Sequence, residues 1–169
     1  KVITLSLISG FLLFSLGTKA NENQSVKDKL QEEISIDEAV TFDHALWNEL
    51  LKKHVSSTGK VNYKGFKADK IKLNKYLAAL QAKMPTSSWD RNEKLAYWIN
   101  VYNAYTIKLI VDNYPLSSIM KIEKAWDKKF IKLGGKFYSL GNVENNILRK
   151  MGESRIHFAI NCASVSCPK

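Results

Sequence analysis

Leu95, Trp98, Ile99, Tyr102, Tyr105, Ile107, Leu109 and Ile110 recur at spacings that cover most of the circumference of one helix. A helix apolar on nearly all sides has little surface to give to water, so other elements must pack around it. Asp90 with Glu93 three residues on is a capping-box pair for its start. Pro115 ends it, because a proline lacks the backbone donor a helix needs. The pattern predicts a long central helix over residues 89–114, with Trp98 and Tyr102 in the core.

Two shorter helices precede it. Phe42, Ala45, Leu46, Trp47, Leu50 and Leu51 keep helical spacing, and so do Ile71, Leu73, Tyr76, Leu77 and Leu80 up to Pro85. Gly59 separates them, and Val61-Asn62-Tyr63 reads as a short extended piece. Beyond Pro115 the character changes. Lys129 to Leu133 and Lys136 to Leu140 flank Gly134-Gly135, and two residues free to take positive φ between such runs predict a β-hairpin. Asn142 is placed to cap a short helix carrying Val143, Ile147, Leu148 and Met151, which Gly152 stops; Ile156 to Asn161 reads as a buried strand. Helices followed by a hairpin, a helix and a strand define an α+β class.

The N-terminus sets the compartment. Lys1 precedes a mostly apolar stretch from Val2 to Leu16, and Thr18-Lys19-Ala20 offers small residues at a cleavage site. Residues 1–20 read as a secretory signal peptide cut after Ala20, too short an apolar run for the roughly 20 residues of a membrane span. A periplasmic or secreted protein is expected, with no stable membrane insertion after cleavage. Residues 21–41 read as a flexible polar leader, and residues 42–169 as one domain. The formal net charge is +10, or +8 once Lys1 and Lys19 are removed. The basic residues are nearly all lysine, and Arg91, Arg149 and Arg155 stand apart, so nucleic acid is not an expected partner.

The chemistry concentrates in Arg155-Ile156-His157-Phe158-Ala159-Ile160-Asn161-Cys162-Ala163-Ser164-Val165-Ser166-Cys167-Pro168. An apolar segment delivers Cys162 into a run of small residues, where backbone is anchored and side chain accessible. A cysteine nucleophile needs a nearby base or cation to form its thiolate, and His157 is the nearest in sequence. Were residues 157 to 162 fully extended, their Cα atoms would lie about 16 Å apart at roughly 3.3 Å per residue, so the segment must bend for the pair to meet. His44, beside Asp43, is the alternative base; His54, beside Lys52 and Lys53, is expected in solvent. Asn103 and Asn161 could polarise a substrate carbonyl. Against this stands a structural reading: two cysteines five residues apart in an exported protein tend to form a disulfide. Zinc-type ligand spacing is missing, and neither a metal nor another cofactor is expected.

Phe42-Asp43-His44-Ala45-Leu46-Trp47, Tyr97-Trp98-Ile99-Asn100-Val101-Tyr102-Asn103-Ala104, Val143-Glu144-Asn145-Asn146-Ile147-Leu148-Arg149 and the His157 to Pro168 run, in this order, resemble the bacterial branch of the domain-of-unknown-function family 547. The resemblance implies a papain- or transglutaminase-like thiol hydrolase with Cys162, His157 and Glu144 as the catalytic group, Glu144 orienting His157 as the third member of a triad does. Two departures stand out: Asn145 replaces a histidine common after the glutamate, and the family pattern continues past Cys-Pro. The resemblance therefore implies a papain/transglutaminase-like domain that is incomplete at its C-terminus here. Two functions from different classes are consistent with these residues. One is an exported cysteine hydrolase or acyl transferase acting on amide bonds of a peptide or peptide-like compound. The other is a non-catalytic envelope binding domain with a structural Cys162–Cys167 disulfide.

Overall fold

A computed structural model describes residues 25–27 and 42–163. The chain divides into units of residues 1–40 and 41–169, and the second forms the domain that carries the motifs. Residues 1–20, expected to be a signal peptide, and nearly all of the expected leader lie outside the described residues, as do residues 164–169. Among the described residues, no helix is long and apolar enough to cross a membrane.

The described domain is α+β. Four helices come first: α1 (Ala45–His54), α2 (Tyr63–Ala68), α3 (Lys70–Ala82) and α4 (Arg91–Asp112). A 3-10 turn at Ile119–Lys121 and two short strands come next, β1 (Ile131–Leu133) and β2 (Lys136–Tyr138), then a π-helical segment, Asn142–Leu148, a 3-10 turn at Arg149–Met151 and a four-residue helix α5 (Ile156–Ala159).

α4 is the central helix that its apolar cover predicts. Tyr97, Val101, Tyr102 and Ala104 are fully buried, and Trp98 is nearly so. Its start is the Asp90–Glu93 capping box, with Glu93 N donating to Asp90 Oδ1 at 2.9 Å and Asp90 N to Glu93 Oε2 at 3.0 Å. It packs against α2, α3 and the π-helical segment. Tyr97 crosses to α3, donating its hydroxyl to Leu80 O at 2.6 Å. The antiparallel hairpin pairs Ile131 with Tyr138, Lys132 with Phe137 and Leu133 with Lys136. Gly134 and Gly135 both take positive φ, 53° and 75°, as a turn matched to strand twist requires.

Five local expectations need correction. Residues 156–161 are not a buried strand: α5 occupies Ile156–Ala159, and the backbone turns extended only at Ile160. Ile156 and Ile160 are the buried residues here, four apart as on one helix face, while Ile160 N donates to Ile156 O at 2.9 Å. Among the described residues the only sheet is the two-stranded hairpin, so local turns satisfy this segment's donors instead. His157 is consequently exposed. Tyr63 begins α2 rather than ending an extended piece; Asn62 caps that helix, accepting from Gly65 N at 2.9 Å. Ile71 lies off the buried face of α3 and is 86% exposed. Asn142 is not the cap of its helix. Ser139 Oγ accepts from Asn142 N at 3.0 Å while Asn142 Oδ1 accepts from Ser139 N at 3.2 Å, so Ser139 fills the capping position. Finally, His54 is buried, at 6% exposure. Its Nε2 lies 2.7 Å from Asp69 Oδ2, which also accepts from Lys53 Nζ, so a carboxylate partner offsets the cost of burying the imidazole.

Candidate functional site

The C-terminal segment is fixed to the fold by α4. Asn103 Nδ2 donates to Ala159 O at 2.9 Å, and Asn103 Oδ1 accepts from Asn161 N at 2.8 Å. Asn161 Oδ1 in turn accepts from Ala163 N at 2.8 Å. That short turn holds Ala163 at φ 58°, a left-handed conformation costing roughly 1–2 kcal/mol in a residue with a Cβ. Cys162 sits between these two anchored residues. Of the small-residue run expected there, only Ala163 lies among the described residues, and both ends of the Asn103 amide hold the backbone that leads to it.

Cys162 is disulfide-bonded; the chain has one other cysteine, Cys167, which lies outside the described residues. The sulfur in this state is neither thiol nor thiolate.

Glu144 and His157 share one polar cluster, joined by a residue the sequence did not single out. Arg149 Nη2 donates to Glu144 Oε1 at 2.7 Å, and Arg149 Nη1 lies 3.4 Å from His157 Nε2. The guanidinium stands between carboxylate and imidazole, so Glu144 reaches His157 through Arg149. The pairing spans five residues, a separation that points side chains apart on an α-helix but brings them together on a π-helix, whose bonds run i to i+5. Arg149 N indeed donates to Glu144 O. Charge pairs are ordinarily sought at three or four residues, which is why this one escapes a sequence reading. Tyr102 Oη approaches the other carboxylate oxygen at 3.4 Å. Burial, and then the charge of Glu144, push the Tyr102 phenol up to about 12, so it remains a donor at neutral pH.

His44, the alternative base, packs elsewhere. Its Nδ1 is 2.7 Å from Tyr76 Oη, and its ring lies 4.7 Å from that of Phe42. Burial holds its pKa below the ordinary value, with Asp43 opposing.

Beside the anchored segment is a cleft of about 130 Å³. Trp47, Val55, Tyr63 and Ile107 wall it, and Asn103 and Asn161 line it next to Cys162. Cavities near this size hold a single ring or branched side chain. Among the described residues, no group of three or more His, Cys, Asp or Glu is arranged to hold a metal ion.

Residues 86–169 match the model of a family described as protein of unknown function, DUF547. That stretch contains α4, the hairpin, the Glu144–Arg149–His157 cluster and Cys162, and it supports the family that the motifs resemble. No curated protein and no solved structure matches the chain.

Proposed function

We propose that this chain is an exported, non-catalytic binding domain of the cell envelope. Its cleft between Trp47, Val55, Tyr63 and Ile107 takes one apolar side chain of a peptide or peptide-like ligand, and a Cys162–Cys167 disulfide is a structural staple beside it. What supports this reading is the disulfide bond at Cys162, next to the turn that Asn103 anchors and to the apolar cleft. A nucleophilic cysteine acts as a thiolate, whereas a disulfide in an exported domain restrains the chain. The apolar cleft next to it supplies a place for a ligand without any chemical step.

The polar cluster favours a second reading. Glu144, Arg149 and His157 lie one after another close to the segment that carries Cys162, the set a thiol hydrolase or acyl transferase acting on amide bonds would draw on. That reading needs the disulfide reduced by an external dithiol, and His157 within about 3 Å of the freed sulfur.

Thiol titration of the native protein, with and without dithiothreitol, tests the proposal. No thiol should be found without reductant. Peptides tipped with Leu or Phe should perturb tryptophan fluorescence through Trp47 in the untreated protein, and should remain uncleaved before and after reduction. One fast-reacting, acidic thiol in the untreated protein would overturn it in favour of the hydrolase.

A further inference from the structure

We infer that the β1–β2 hairpin is a docking surface for a bilayer bearing anionic phospholipids. Phe137 is 57% exposed, and its cross-strand partner is Lys132. Residues directly opposite in an antiparallel pair project from the same face, so ring and ammonium stand together on the outer side. The other face is anchored, since Ile131 and Leu133 are buried in the core. Lys128 and Lys129 are exposed in the segment leading into β1, and Lys136, the partner of Leu133, is exposed at the turn end of the opposite face. Residues 128–143 contain no Asp or Glu. Among the described residues, none of these four lysines enters an ion pair.

Two more exposed apolar side chains, Ile71 and Phe158, lack this setting. Ile71 is 86% exposed, but its neighbours Lys70 and Lys72 are tied to Asp112 and Glu49. Phe158 is 77% exposed, with nearby Arg155 held by Glu153. Among these three sites, the hairpin is where an apolar ring projects beside a lysine that no acid pairs, Lys132. A ring seated at the headgroup boundary, with lysines reaching lipid phosphates, is the arrangement by which peripheral proteins bind anionic membranes. The flanking charge commits the surface to an anionic partner, and the projecting ring commits it to one with an apolar layer beneath its phosphates. A soluble polyanion offers the charge without that layer.

Co-sedimentation tests this with vesicles of phosphatidylglycerol mixed with phosphatidylcholine, against phosphatidylcholine alone. The protein should bind only the mixed vesicles and be released near 1 M salt, where the screening length falls to about 3 Å. Lys132→Gln should weaken binding about fivefold, and Phe137→Ser about tenfold. Lys70→Gln with Lys72→Gln should leave it unchanged. All these side chains are exposed, and far-UV circular dichroism verifies that each variant is folded. Failure to bind mixed vesicles, binding indifferent to the hairpin substitutions, or DNA or polyglutamate binding with Phe137 irrelevant would overturn the proposal. This surface is separate from the cleft, so neither result depends on the ligand reading.

Discussion

The side-chain amide of Asn103 straddles the backbone before Asn161, donating to Ala159 O at 2.9 Å and accepting from Asn161 N at 2.8 Å. One residue of the central helix thereby sets where the chain carrying Cys162 lies. An asparagine is suited to this because its terminal group offers a donor and an acceptor together.

Asn103→Ala should therefore loosen this segment more than the rest of the fold. Leaving Asn161 N and Ala159 O unpaired should cost about 1–3 kcal/mol, read by urea unfolding. The Cys162 disulfide should also be reduced faster by dithiothreitol, since its neighbours are no longer held. Asn103→Asp keeps an acceptor for Asn161 N but sets a carboxylate against Ala159 O, so it should not restore the wild-type rate. Reduction as slow in Asn103→Ala as in the wild type would show that the amide does not restrain the turn.

How far the sequence discloses this molecule depends on the range of the interaction. Asp90 with Glu93, and Gly134 with Gly135, act over three residues or fewer, and each forms the element its chemistry dictates. The apolar cover of α4 is likewise a local pattern with one outcome, burial. Reading fails where a partner distant in sequence decides. His54 looks exposed beside Lys52 and Lys53 until the junction of α2 and α3 brings Asp69 to it. Ile156 to Asn161 is apolar enough for a buried strand, but no described strand lies beside it, and the Ile156–Ile160 spacing gives a turn of helix instead. In the candidate site, Glu144 and His157 are legible as polar residues in motifs. Their link through Arg149 depends on a π-helical pitch that composition does not announce.

Gly65 offers a test of the α1–α2 packing. A Cβ placed there would lie 2.4 Å from His54 Nδ1 and 2.9 Å from Asn62 Nδ2. Gly→Ala within a helix ordinarily stabilises by roughly 0.5–1 kcal/mol; here overpacking should reverse the sign and destabilise by about 1–3 kcal/mol. His54→Ala removes the obstruction, so the double variant should be more stable than the two single costs added together, by at least about 0.5 kcal/mol. Additive costs from the four unfolding curves would show that Gly65 and His54 are not in steric contact.

Trp98 ties α4 to the hairpin. Its ring centroid lies 6.0 Å from that of Tyr138 and 5.3 Å from that of Tyr97, both in edge-on geometry. Trp98→Ala should cost roughly 3–5 kcal/mol, as lost burial plus a cavity. Trp98→Phe should recover part of that by keeping a ring against Tyr138. A denaturation midpoint unmoved by the alanine substitution would place Trp98 outside the core.

His44 gives the fold a dependence on pH whose sign is fixed. Its folded-state pKa lies below the ordinary 6.5, chiefly through burial and against the opposing charge of Asp43. As pH falls through about 6.5 the unfolded chain therefore takes up a proton at this site more readily than the folded one. The contribution of neutral His44 is fully present above that value and declines below it. The groups packed around it are Tyr76, whose phenol burial holds well above its usual range, and Phe42. Neither titrates in this window, so Asp43 is the charge that modulates the effect. His44→Gln keeps a polar group near the Tyr76 hydroxyl and removes the titration. The stability difference between wild type and this variant should shift against the wild type between about pH 8 and pH 5, measured by urea unfolding at each pH. Taking the difference cancels the contributions of His54, His157 and the carboxylates, which both proteins share. A difference constant across that range would mean that His44 has the same proton affinity folded and unfolded, and that its place against Phe42 and Tyr76 does not desolvate it.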